Sequence, residues 1–150
     1  MVGLDADHEA WTAAQSKTTA VIDGRELDVA YYEAGRDNPG PPVLFLHGIP
    51  TWSFLWRGIA PAVAEERRVI APDLVGYGNS QRSDDFDRSV RAQTSVLADL
   101  IAEVPADEVD LVAHDIGGGV ALRYAAARPE QVRKLVVSNA ACFDSWPVEY

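Results

Sequence analysis

Cysteine, methionine and lysine are all scarce in this chain of 150 residues, which holds one Cys, one Met and, among its 13 basic residues, only Lys17 and Lys134. The single thiol, Cys142, excludes an internal disulfide and the paired-cysteine spacings of a structural zinc site. It follows an apolar stretch and reads as a packing residue. Basic charge is in deficit, with 13 Lys and Arg against 23 Asp and Glu and a net charge of −10. That balance argues against nucleic acid and anionic membrane surfaces as partners. No apolar run approaches the roughly 20 residues of a membrane-spanning helix. Met1–Glu9 carries acids and no Lys or Arg, so no secretory leader is visible and a cytoplasmic location is expected. Histidine occurs only at His8, His47 and His114. No cluster has metal-ligand spacing, and no cofactor is expected.

What is present suits one compact α/β domain. Apolar residues make up 47% and charged residues 24%, near the globular average. A chain of this length buries roughly 68–70% of its unfolded surface. Residues 5–16 suggest a short helix with Trp11 inward. Thr18–Ile22 and Leu27–Glu33 flank Asp23-Gly24, a two-residue hairpin signature. A buried strand is expected at 43–47. Helical spacing over 53–66 is interrupted by Pro61. A short strand at 69–71 leads into a polar loop over 73–88. Ser89 can cap a helix with Val90, Thr94, Leu97 and Ile101 on one face, ending before Pro105. A strand at 109–113, a helix at 117–128 and a strand at 132–138 follow. Such alternation implies a parallel sheet with right-handed crossovers. Residues 1–17 read as an N-terminal extension and 18–150 as the core.

The stretch Val112-Ala-His-Asp-Ile-Gly-Gly118 carries the chemistry. Small residues at Ala113, Gly117 and Gly118 surround Asp115 with the spacing of a nucleophile elbow, a sharp turn from strand to helix. An ionised aspartate needs no base to attack. On a saturated carbon bearing a halide or an epoxide oxygen it forms a stable alkyl ester, which activated water can hydrolyse. The competing reading makes Asp115 a helix N-cap. His114 is expected to order the elbow, because adjacent strand residues point to opposite faces.

A second motif runs His47-Gly48-Ile49-Pro50-Thr51-Trp52-Ser53-Phe54-Leu55-Trp56-Arg57. The loop after a neighbouring strand supplies one oxyanion-hole N–H, and the backbone amides of Ile49 and Ile116 are the candidate pair. The Ile49-Pro50 bond is a candidate for cis. His47 is expected to order this loop. Trp52 and Trp56 either line a pocket or pack in the core. Asp73 is either a second acid or, preferably, a turn-capping carboxylate; Tyr77 and Ser80 read as structural.

Together, His47-Gly48-x-Pro50 and His114-Asp115-x-Gly117-Gly118 resemble the α/β-hydrolases, in the branch of epoxide hydrolases and haloalkane dehalogenases. The blocks Pro72-Asp73-Leu74-x-Gly76-Tyr77-Gly78-x-Ser80 and Asn139-Ala140 with Asp144-Ser145-Trp146-Pro147 extend the resemblance from about Thr18 to Tyr150. It implies a mostly parallel sheet with helices on both faces and a small epoxide or halogenated alkane as substrate. Asp115 would be the nucleophile, with His47, Gly48, Pro50, His114, Gly117 and Gly118 in support. Pro50-Thr51-x-Ser53-x-Leu55-Trp56-Arg57 leans towards dehalogenases. However, those enzymes usually hold the halide with an asparagine after His-Gly and a tryptophan after the nucleophile. Ile49 and Ile116 stand there instead, which favours epoxides. The family's acid and histidine base follow the nucleophile, and no histidine follows Asp115. The chain is therefore expected to be an N-terminal portion carrying a nucleophile without its base. Strand 132–138 would then expose an apolar edge through which a homo-oligomer could form. The alternatives are a non-catalytic interaction module and an ester hydrolase that does not use Asp115.

Overall fold

A computed structural model describes residues 3, 6–83 and 85–142; the Asp144-Ser145-Trp146-Pro147 block lies outside them. Asp23 and Gly24 have φ of 50° and 80°, as a type I′ turn requires. They join β1 (Gln15–Ile22) to β2 (Arg25–Ala34) in an antiparallel hairpin closed by the Ile22–Arg25 pair. β1 begins three residues before the expected Thr18. Gln15, Ser16 and Lys17 show no apolar alternation, yet their backbones pair with Tyr32, Tyr31 and Ala30.

β3 (Val43–Leu46), β4 (Val69–Pro72), β5 (Val109–His114) and β6 (Val132–Ser138) complete a six-stranded sheet in the order β1-β2-β4-β3-β5-β6. β2 and β4 run antiparallel, whereas the β4–β3, β3–β5 and β5–β6 pairs are parallel. Side chains alternate across a strand, so β3 feeds both layers. Leu44 and Leu46 face Leu97 and Ile101 of α3 (Val90–Ala102) and Val120, Ala121 and Tyr124 of α4 (Ile116–Ala127). Val43 and Phe45 face Trp11 of α1 (His8–Ala13), Trp56, and Ala60 of α2 (Ala60–Val63). Helices therefore cover both faces. Each large side chain buried this way contributes about 1.5–3 kcal/mol.

The segment with helical spacing over 53–66, where Pro61 predicts an interruption, is a 3-10 turn at Ser53–Trp56 followed by the one-turn α2. Pro61 sits in the first turn of α2; it lacks an N–H and its ring would clash with the carbonyl four residues earlier, so no continuous helix can pass through it. α3 starts as predicted, with Ser89 Oγ accepting from Ala92 N at 3.2 Å. The N-terminal half of β5 carries a buried charge, Asp110, which is paired with Arg67 and Arg133. Among the described residues β6 pairs only with β5, and Val136 and Val137 are exposed.

Candidate active site

Sheet order decides the site. With β3 beside β5, the loop after His47 and the turn after His114 emerge together at the carboxyl ends of their strands, where open α/β sheets place reactive groups. Asp115 adopts φ 54° and ψ −124°, a conformation that costs a non-glycine residue roughly 1–3 kcal/mol and clusters at functional positions. It is fixed on three sides. Asp115 N donates to Ser138 O at 3.1 Å, while its carbonyl accepts from Gly118 N at 2.9 Å and Ala141 N at 3.0 Å. Neighbouring His114 is joined through Nδ1 to Ser138 O at 3.1 Å, tying the elbow to β6.

Two glycines permit the close approach. A Cβ on Gly48 would lie 2.4 Å from Asp115 Cβ, and one on Gly117 would lie 2.5 Å from His47 O. Both distances are too short for any side chain, so the β3 loop, the elbow and α4 fit together only with glycine there.

The carboxylate of Asp115 meets the two predicted amides. Its Oδ1 accepts from Ile116 N at 2.5 Å and from Ile49 N at 3.3 Å. Among the described residues no hydrogen bond reaches Oδ2. The N-terminus of α4 adds the positive end of a helix dipole, which stabilises negative charge there. Neither the Ile49 nor the Ile116 side chain can donate a hydrogen bond to a leaving group.

His47 is wholly buried and both ring nitrogens are engaged. Nε2 accepts from Leu74 N at 2.9 Å, so Nδ1 carries the proton and donates to Gly48 O at 2.9 Å. Burial holds its pKa below the usual imidazole value, against opposing contributions from the Gly48 carbonyl, Asp73 and Asp115. Thr51 closes the loop through N and Oγ1 to Gly48 O, at 3.0 and 2.7 Å, and the Ile49-Pro50 peptide is cis.

Of the two tryptophans, Trp56 is buried against Phe45 with ring centroids 5.2 Å apart. Trp52 is half-buried and stacks on Phe54 at 5.6 Å. Asp73 is wholly buried and accepts backbone N–H groups from Ser53 and Asn79, the capping arrangement preferred from sequence. Sequence reasoning missed Gln15, which is bonded into this region, because an isolated polar residue with no periodicity gave no signal; Ser53 stood in the quoted motif without a role. A cavity of about 1190 Å³ lies between α3 and α4, and its lining includes neither Asp115 nor the loop after β3.

A family model for the alpha/beta hydrolase fold matches residues 41–150. The chain belongs to that family. Among curated relatives, a cis-3-alkyl-4-alkyloxetan-2-one decarboxylase from Shewanella oneidensis is 34% identical over 110 residues, 71% of this chain and 35% of the relative. A haloalkane dehalogenase from Mycolicibacterium paratuberculosis is 37% identical over 119 residues, 78% of this chain and 39% of the relative. The solved structure of an epoxide hydrolase from Vigna radiata superposes with a TM-score of 0.74 at 28% identity, covering 91% of this chain and 44% of that one. This hydrolase-fold chain thus spans less than half the length of each of these three relatives. No helix among its described residues is long and apolar enough to cross a membrane.

Proposed function

We propose that Asp115 is the nucleophile of a hydrolase working through an alkyl-ester intermediate, with an epoxide as the preferred substrate class. The observation that carries this reading is the convergence of Ile49 N and Ile116 N on Asp115 Oδ1 while Oδ2 is left without a hydrogen bond among the described residues. Oδ2 attacks a ring carbon of the epoxide, the C–O bond to that carbon breaks, and the ring oxygen, still bound to the other carbon, becomes an alkoxide that takes a proton from solvent water. The resulting ester places its carbonyl oxygen, Oδ1, between the two amides. Water attack at Cγ would put negative charge on Oδ1, and two preorganised amides at that spot stabilise it; one such donor is typically worth about 100- to 1,000-fold in rate.

Apolar Ile49 and Ile116 support an oxygen leaving group over a halide. Haloalkane dehalogenases among the relatives keep carbon–halogen cleavage as the second reading. His47 does not serve as the hydrolytic base on this scheme, because both its nitrogens are committed. On this scheme no described residue is assigned as the base, so the ester is expected to persist on this chain.

Incubation with styrene oxide and, separately, 1-bromobutane, followed by intact-mass spectrometry and peptide mapping, tests the reading. The expected result is one adduct on Asp115, faster with the epoxide and absent in Asp115→Asn. An adduct on Cys142 alone, or none on a chain shown to be folded, overturns the assignment. A faster reaction with the bromide selects the dehalogenase reading.

A further inference from the structure

The N-terminal segment reaches into the loops that carry the site. Trp11 of α1 is wholly buried, and its indole N–H donates to Ser53 Oγ at 3.0 Å. Gln15, at the start of β1, donates from Nε2 to Ser53 Oγ at 3.1 Å and to Asp73 Oδ2 at 3.0 Å. Its Oε1 accepts from Asn79 Nδ2 at 2.7 Å. Asp73 Oδ1 accepts from Ser53 N at 2.9 Å, and Oδ2 also accepts from Asn79 N at 2.8 Å. Ser53 and Asp73 are each 0% exposed. A carboxylate is thus buried among neutral donors, an expensive arrangement unless every lone pair is used.

The wiring has a direction. The loop bearing the Ile49 amide runs from His47 to Ser53, and both of its ends are tied to consecutive residues after β4. Leu74 N donates to the His47 ring at one end, and Asp73 accepts from Ser53 N at the other. The bond this loop delivers, Ile49 N to Asp115 Oδ1 at 3.3 Å, lies just beyond the normal 2.7–3.2 Å range. A small displacement of the loop therefore opens it.

We propose that Asp73 and Gln15 are positioning residues of the site, which place the Ile49 amide through Ser53 and make α1 and the start of β1 a strut of the catalytic loop. This rests on the reading of Asp115 as nucleophile. Asp73→Asn keeps the volume but replaces one acceptor oxygen by an amide donor. In either orientation that donor faces another, Ser53 N on one side or Gln15 Nε2 and Asn79 N on the other.

The test uses residues 1–150 and styrene oxide, with rates of Asp115 adduct formation measured against epoxide concentration for the parent chain, Asp73→Asn and Gln15→Met. By holding Oδ1 the Ile49 amide aims the attacking Oδ2, and a misplacement on the order of 1 Å costs about 100-fold, so the maximal rate should fall by roughly 10- to 100-fold while half-saturation stays within about twofold. The Ile49 cross-peak in a ¹H–¹⁵N spectrum should move in both variants. Gln15→Met serves if Asp73→Asn does not fold. Parental maximal rates in a folded variant, an effect on half-saturation alone, or an unmoved Ile49 cross-peak overturns the proposal. If the parent chain forms no Asp115 adduct, the nucleophile reading fails separately, and the Ile49 cross-peak still decides whether the strut exists.

Discussion

Replacing Gly48 by alanine adds one methyl group where the structure has no room for it. The new Cβ would stand 2.4 Å from Asp115 Cβ, 2.9 Å from Cγ and 3.0 Å from Oδ1. Ordinary contact begins near 3.4 Å, so the β3 loop and the elbow must separate by about 1 Å. Neither side yields cheaply. Asp115 is held by three backbone hydrogen bonds, and the loop by His47 and Thr51. Forcing a methyl group into such a packed site costs about 1–3 kcal/mol. At roughly 2–4 °C per kcal/mol for a chain of this size, the thermal midpoint should drop by about 2–12 °C. The same displacement stretches Ile49 N from Asp115 Oδ1, already 3.3 Å away, past hydrogen-bonding range and shifts the attacking Oδ2 off its line to the epoxide, so Asp115 alkylation should slow by about 100-fold. Gly58→Ala is the matched control, since a Cβ at Gly58 meets nothing within 4 Å. Thermal unfolding and intact-mass kinetics on the two variants read both quantities. Parental stability and parental alkylation in Gly48→Ala would refute the close approach on which the site depends.

Three further outcomes are expected. The pKa of His47 is held down by burial, so its contribution to stability is present above about pH 6.5 and lost as pH falls from there towards the folded value. By NMR its ring should protonate only below the ordinary imidazole range, staying in the neutral Nδ1–H form where a free imidazole is already charged; titration with an ordinary midpoint would contradict its burial. For Asp110, burial pushes the pKa up but the hydrogen bonds and charges of Arg133 and Arg67 outweigh it, leaving the carboxyl below its ordinary value. Asp110→Asn should therefore destabilise the fold by about 1–3 kcal/mol at neutral pH. In urea titrations that difference should shrink as pH falls below about 4. Ser89→Ala removes the acceptor for Ala92 N and should cost about 1 kcal/mol in the same assay; an unchanged urea midpoint would show that this cap contributes nothing.

By itself the amino-acid sequence determined the features that depend on local spacing and sterics. Asp23-Gly24 specified the hairpin because both residues tolerate positive φ. The run at 43–46 specified a strand buried on both faces, and Ser89 with its apolar stripe specified α3. Ala113-x-Asp115-x-Gly117-Gly118 announced the elbow because only small residues let strand, turn and helix approach so closely. The start of β1 escaped, since Gln15, Ser16 and Lys17 are strand residues through backbone pairing with β2 rather than through any pattern of their own. The break between Trp56 and Ala60 was visible as Pro61, but its extent was not.

Tertiary structure alone decided what meets what. Ile49 and Asp115 are 66 residues apart, and their bond exists because β3 and β5 are neighbours in the sheet. Asp73 lies 58 residues from Gln15 and 20 from Ser53. Those partners are chosen by β4 lying between β2 and β3 and by α1 packing beneath them, a long-range sheet order that local residue spacing does not encode.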